Sequence, residues 1–244
     1  ERVRDRWTHG GFHPVQVVSS GVLINPYALT IGFARRFATY KRASLILSDV
    51  ERLLEIINRP NMPVQIIFAG KAHPADDPGK KLIQEVYRTV KKAETGGRLV
   101  FIEDYEMNLA RYLVQGVDVW LNTPRRPYEA SGTSGMKAAI NGVLNFSIMD
   151  GWWREAFNGK NGWSIGEDKQ TESTEVQDAA DAESMFHILE HEIIPLYYNR
   201  DPKEMPIDWV HYMKAAMQTV IPQFSMRRMV KEYVEKFYIP ANRR

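Results

Sequence analysis

Glu129-Ala-Ser-Gly-Thr-Ser-Gly-Met-Lys137 gathers a carboxylate, hydroxyls, glycines and one lysine into nine residues. The run before it, 117–121, is apolar enough for a strand buried on both faces, and Thr133–Ile140 has the composition to open a helix. Together they read as a strand-to-helix junction. The first N–H groups of such a helix lack partners within it and attract an anion, and glycines let a ligand approach the backbone. Lys137 falls one turn inside. An amine there can contact a phosphate, condense with an aldehyde, or lie in solvent behind a helix cap.

Outward from this junction, Leu29-Thr-Ile-Gly-Phe-Ala34 is a second apolar run, and it empties into Arg35-Arg-Phe-Ala-Thr-Tyr-Lys41-Arg42, four cations in eight residues. Ligands of open α/β sheets bind at the carboxyl ends of strands. One strand end rich in cations and another rich in N–H groups, hydroxyls and a lysine suggest a site for more than one anionic group; the alternative is a solvated basic face.

Around the two junctions strands alternate with helices. Apolar Ile46, Val50, Leu53, Leu54 and Ile57 form one stripe of a helix over 44–57, followed by a strand at Val64–Ala69 and a helix over about 78–93. A strand at 99–103, a helix at 107–115 and a strand at 143–148 continue the series. The alternation predicts an α/β fold, a doubly wound parallel sheet with helices on both faces and right-handed crossovers. From 173 to 244 the pattern is helical, over 182–197, 203–220 and 224–237. Met226, Met229, Val230, Tyr233, Val234 and Phe237 share one face of the last helix and predict a core stripe rather than a cofactor box. The polar 166–181 stretch reads as a mobile loop. Residues 1–21 show no period and read as a linker or the remnant of a preceding region, leaving 22–244 as one domain.

With 44% hydrophobic and 25% charged residues among 244, the chain can bury a sizeable core. Its 32 basic residues nearly balance 30 acidic ones, so no global field calls for nucleic acid or a membrane surface. There is no cysteine, hence no disulfide framework and no thiolate metal site, in keeping with a cytoplasmic location. No signal peptide and no apolar stretch near about 18 residues is recognised. His9, His13, His73, His187, His191 and His211 lack metal-ligand spacing with supporting acids, so no metal is expected. Trp152, Trp153 and Trp163 read as core or interdomain packing before sugar platforms.

The chain resembles the α-glucan phosphorylases, the glycogen, starch and maltodextrin phosphorylase family. Glu129 to Lys137 looks like the family's pyridoxal-phosphate attachment motif, and Arg35 to Arg42 like its phosphate-recognition segment. Gly70-Lys-Ala-His-Pro74, Glu103-Asp-Tyr105, Asn141-Gly142, Asp150-Gly151 and the Phe224-Ser225 helix follow in the expected order, so the resemblance covers about 22–238. Met149-Asp-Gly-Trp-Trp-Arg-Glu-Ala156 points to the shorter, mostly prokaryotic branch. The resemblance implies the Rossmann-like, cofactor-binding second half of a two-domain glycosyltransferase architecture. An N-terminal domain would then supply the far wall of the glucan cleft, and the chain would begin just before the second domain's first strand and end at its natural terminus.

What the resemblance implies for chemistry is phosphorolysis of α-1,4-glucan by inorganic phosphate to α-glucose 1-phosphate. The phosphate of pyridoxal phosphate, covalently held on Lys137, would be the acid–base group. Two anions about 5 Å apart repel by roughly 3 kcal/mol at an effective dielectric near 20, so cations must surround them. Arg36 matches the arginine that takes substrate phosphate bidentately, Lys41 a lysine that reaches the phosphate pair, and Arg35 stands where mammalian relatives carry lysine. Thr133, Ser134 and Gly135 would hold the cofactor phosphate, with Tyr105 in the cofactor pocket. Glu129, Ser131 and Gly132 would bind glucosyl hydroxyls. Ser134-Gly135 replaces the family's usual Gly-Asn, and Glu106 stands where vertebrate members have arginine.

Two other functions compete. A nucleotide-sugar-dependent glucan synthase places a second glutamate eight residues after the first to hold a ribose; eight residues past Glu129 is Lys137, which accepts no hydroxyl proton. The third reading is a non-catalytic domain that binds anions or cofactor. A homo-oligomer is compatible with either enzyme.

Overall fold

The computed structural model describes residues 25–167 and 173–242. Expectations for the opening residues 1–21, for His9 and His13, and for the centre of the 166–181 loop lie outside the described residues.

Six short apolar runs form one parallel sheet: β1 (Leu29–Ala34), β2 (Val64–Ala69), β3 (Leu99–Ile102), β4 (Val119–Asn122), β5 (Leu144–Ile148) and β6 (Gly162–Ile165), ordered β3-β2-β1-β4-β5-β6. β1 to β5 are buried along their whole length because helices cover both faces, which is why they read as largely apolar runs, interrupted by buried polar residues such as Gln65 in β2 and Asn145 and Ser147 in β5. The chain winds outward in one direction from β1 and in the other from β4. The crevice between these two strands is the topological switch point of a doubly wound sheet.

One face of the sheet, with Leu29, Ile31 and Phe33 of β1, shares a single buried core with residues of α1 (Val50–Ile57), α2 (Asp77–Val90), α6 (Thr174–Ile188) and α8 (Ile207–Gln223), of which α6 packs on β6 and α8 on β5. The other packs Ala34, Ile67 and Trp120 against Leu109 and Leu113 of α3 (Met107–Gly116) and Ala138 of α4 (Thr133–Ile140). Trp152, Trp153 and Trp163 are all buried, with Trp163 stacked on Tyr212 at 5.1 Å between ring centres. α5 (Trp153–Ala156) is a single turn, and α7 (Ile194–Tyr198) continues α6 through a π-helical turn at Leu189–Ile193.

Several boundaries differ from expectation for identifiable reasons. The helix read over 44–57 is a 3-10 turn at Leu45–Leu47 followed by α1, because the Asp49 side chain caps the Arg52 N–H at 3.0 Å and restarts the helix. β6 escaped the reading; at four residues opening on glycine it is too short for a period. The loop read over 166–181 ends early, since Ser173 caps α6 and its helix runs from Thr174. That helix buries Gln177 and Asp181, so its first turns carry no apolar stripe to be seen.

The clearest correction concerns the C-terminus. α9 (Met226–Tyr233) is followed by a π-helical turn at Val234–Tyr238 and α10 (Ile239–Asn242), and its apolar stripe is exposed rather than core. Met226 is 69% and Phe237 60% accessible, and no residue of α9 is buried. The period marks a face that needs a partner; it does not say that this sheet is the partner.

Candidate functional site

The loops leaving β1 and β4 diverge at the switch point, and the two sequence junctions meet there. Arg35 directly follows β1 and is buried. Its guanidinium donates to Asn122 Oδ1, at the end of β4, and to Glu129 Oε2 in the loop beyond. Burial lowers its pKa from the usual arginine range, opposed by the Glu129 charge, and it remains a cation at neutral pH. Lys41 Nζ reaches the same Glu129 oxygen at 3.3 Å and lies 5.1 Å from the Tyr40 ring centre. Two cations therefore share one carboxylate oxygen, while Glu129 Oε1 makes no hydrogen bond with a described residue. Arg36 is exposed beside them and forms no ion pair among the described residues.

The Glu129 loop hangs from the turn after β5. Asp150 Oδ2 accepts the Glu129 N–H at 2.9 Å, and Trp152 N–H donates to Ser131 O at 2.8 Å. Gly151 between them has φ +55°, and a Cβ there would lie 2.5 Å from Ser131 O. Ser131 is half-buried next to Gly132, whose left-handed φ of 85° turns the chain into α4.

α4 opens toward this crevice. Thr133 and Ser134 N–H groups have no acceptor among the described residues, whereas the Gly135 N–H donates to Gly132 O at 3.1 Å. The Ser134 hydroxyl turns back to the sheet and accepts from Trp120 Nε1 at 3.2 Å. Gly135 is buried against β5: an added Cβ would stand 2.5 Å from Asn145 Oδ1 and 2.9 Å from the Trp152 ring. The glycine of the Ser134-Gly135 pair thus gives α4 its close approach to the sheet. Lys137 is exposed one turn along, its amine without an ion pair among the described residues.

Tyr105 donates a long 3.5 Å hydrogen bond to Ala34 O, at the end of β1, and burial raises its pKa. Glu106 does not enter the crevice through its carboxylate, which caps α3 on the N–H groups of Asn108 and Leu109. Arg42, last of the basic run, is also turned away, into buried contacts with Thr123 O, Pro124 O and Asp181. Asn122 was missed by sequence reasoning although a polar residue closing a buried strand was the available signal. Asp150 entered only as part of a resemblance.

Residues 14–185 match the family model of carbohydrate phosphorylases. The chain belongs to the carbohydrate phosphorylase family. It is 52% identical over 238 residues to a glycogen phosphorylase of Aquifex aeolicus, a match covering 98% of this chain and 34% of that protein. It is 54% identical over 218 residues to a maltodextrin phosphorylase of Thermococcus litoralis, covering 89% of this chain and 26% of that protein. A glycogen phosphorylase of Mycobacterium tuberculosis is 42% identical over 240 residues, 98% of this chain and 28% of that protein. The chain spans about a third or less of the length of these phosphorylases. Among the described residues, no helix is long and apolar enough to cross a membrane.

Proposed function

We propose that this chain is the phosphate- and cofactor-binding part of an α-1,4-glucan phosphorylase that releases terminal glucosyl units as α-glucose 1-phosphate. The observation that carries the reading is the meeting of Arg35 and Lys41 on Glu129 at the switch point, opposite the open N-terminus of α4. Such a site holds more positive than negative charge and offers both anion donors and one directional acceptor for hydroxyls.

The residues fit pyridoxal phosphate. Among the described residues, Arg35 Nε is buried without a hydrogen-bond partner, the Thr133 and Ser134 N–H groups have no acceptor, and the Lys137 amine has no ion pair, while Gly132 carries no side chain over these groups. Bound there, the cofactor would supply an aldehyde for Lys137 and a phosphate group able to act as acid and base. Arg36, the exposed guanidinium, takes inorganic phosphate; Lys41 and Arg35 offset the repulsion between the two anions; Tyr105 closes the pocket behind them. Glu129 Oε1, with Ser131 and Gly132, accepts and orients glucosyl hydroxyls.

A further region of the protein, at the length of its relatives, forms the opposite wall of the glucan cleft, and the enzyme acts in the cytoplasm. In the 244 residues alone the anions stay solvated and the glucan has nothing to orient it. The test is glucose 1-phosphate release from maltodextrin and phosphate with pyridoxal phosphate added. Release is expected from the full-length enzyme and none from this chain, which should still unfold in one cooperative thermal transition. Absence of release by the full-length enzyme would refute the reading, and robust release by the chain alone would refute the need for the second wall.

A further inference from the structure

We infer that Asp181, Arg42 and Thr123 are positioning residues that set where Lys41 stands relative to Glu129. The inference rests on the reading of Lys41 as a phosphate-contacting group.

Lys41 and Arg42 are chain neighbours with opposite tasks. The 3-10 turn Thr39–Lys41 ends on Arg42, whose φ of 45° and ψ of 51° lie in the left-handed region. A non-glycine residue is disfavoured there and persists where its surroundings over-determine it. Those surroundings are on both sides of the guanidinium. Arg42 Nε donates to Thr123 O at 3.0 Å, Nη1 to Asp178 Oδ1 at 2.7 Å, and Nη2 to both Pro124 O at 3.0 Å and Asp181 Oδ2 at 2.8 Å. A glycine would adopt the same turn without strain and could make none of these contacts.

Asp181 does more than pair with Arg42. Its other oxygen, Oδ1, accepts from Arg126 Nη2 at 3.0 Å. Arg42 belongs to the loop after β1, which carries Arg35, Arg36 and Lys41; Arg126 belongs to the loop after β4, which carries Glu129. One carboxylate, 2% accessible, therefore ties together the two loops that diverge at the switch point. Thr123 completes the tie at the backbone. Its hydroxyl lies 3.1 Å from the carbonyls of both Lys41 and Arg42, and Arg125 N–H donates to Tyr40 O at 2.6 Å. The Lys41 main chain is thus held from the β4 loop, so that its amine arrives at Glu129 from a fixed origin.

Stability alone is a poor reason for this arrangement. Buried ion networks contribute little compared with apolar packing of the same volume, and their better-attested use is to fix geometry. A misplacement of a charged group by a fraction of an ångström is felt by a bound anion far more than by a glucan chain that contacts other groups.

The test is made in the full-length enzyme with Thr123→Val, which removes a hydroxyl without burying a charge, and Asp181→Asn, which keeps shape and loses half the tie. KM for phosphate, KM for maltodextrin, kcat and the thermal midpoint are measured, together with the Kd of inorganic phosphate by calorimetry. We expect Thr123→Val to raise the phosphate KM and Kd on the order of tenfold while the maltodextrin KM stays unchanged, and Thr123→Ser to restore both. Unchanged phosphate Kd in folded Thr123→Val would overturn the inference, as would equal rises in both KM values that track the fall in thermal midpoint. If Thr123→Val does not fold, Asp181→Asn is measured in the same way, and an unchanged phosphate Kd there overturns the inference equally. If the unaltered enzyme releases no glucose 1-phosphate, the proposed activity fails, and the phosphate Kd of the variants still decides the positioning role.

Discussion

Asp150 holds Glu129 by its main chain: the Asp150 carboxylate accepts the Glu129 N–H at 2.9 Å while the Glu129 carboxylate faces Arg35 and Lys41. The strand that carries Asp150 is not the strand that carries the Glu129 loop, so the placement of the acceptor depends on the turn after β5. Gly151 makes that turn possible. Gly151→Ala would force a side chain at φ +55° into the Ser131 carbonyl. The expected loss is roughly 2–4 kcal/mol of stability, read as a lower urea midpoint with an unchanged slope; a midpoint equal to that of the unaltered protein would show that the turn has another conformation available.

Lys137 is expected to be the attachment point of pyridoxal phosphate. Its amine is exposed, one turn from the open N-terminus of α4. Borohydride reduction of the cofactor-loaded full-length enzyme followed by peptide mapping should mark the peptide containing Lys137. A mark on another lysine, with Lys137 unmodified, would remove the assignment.

Arg36→Ala in the full-length enzyme is expected to impair phosphate use while leaving cofactor content intact. Arg36 is exposed and without an ion pair among the described residues, so its removal leaves no buried charge behind. Loss of a charged contact to phosphate should cost on the order of 2–4 kcal/mol in the transition state. Phosphorolysis kinetics and bound pyridoxal phosphate, compared between the two proteins, decide it: unchanged kcat/KM would take Arg36 out of the site.

At the opposite end of the sheet, Asp118 accepts the Thr30 N–H at 2.8 Å, and burial pushes its carboxyl up to about 6, against the hydrogen bonds from Thr30 and Tyr197. The folded protein therefore holds this proton more tightly than the unfolded chain does. Its contribution to stability is fully present below about pH 4 and is lost as pH rises through about 6, to a limit of roughly 3 kcal/mol. Asp118→Asn should gain stability relative to the unaltered chain across that window. Parallel stability–pH curves for the two proteins would contradict it.

The strands and α4 were legible because the β1 to β5 segments are buried on both faces and largely apolar, with few polar residues such as Gln65, Asn145 and Ser147 among them, and because Gly132 and Lys137 punctuate a junction of distinctive chemistry. What was not legible is what holds the site. α6 buries Asp181 and Gln177 where a reading by apolar period expects leucines, so its first half, 174–181, reads as loop and only the part from 182 onward as helix. Arg42 sits in a basic run and looks like its neighbours; only its left-handed backbone and its four acceptors separate it from Lys41. The stripe from Met226 to Phe237 was visible as amphipathic, but amphipathicity carries no address.

Every side chain proposed to touch ligand lies between Arg35 and Lys137, yet the anchors come later in the chain: Asp150 and Gly151 beyond β5, Asp181 on α6. A protein shortened to end at β5 would retain the whole ligand-contacting set and lose both of its moorings. Inheritance of the two junctions alone therefore transmits the vocabulary of the site without its grammar, and sequences that match only through Lys137 need to be judged by whether an acid equivalent to Asp181 follows.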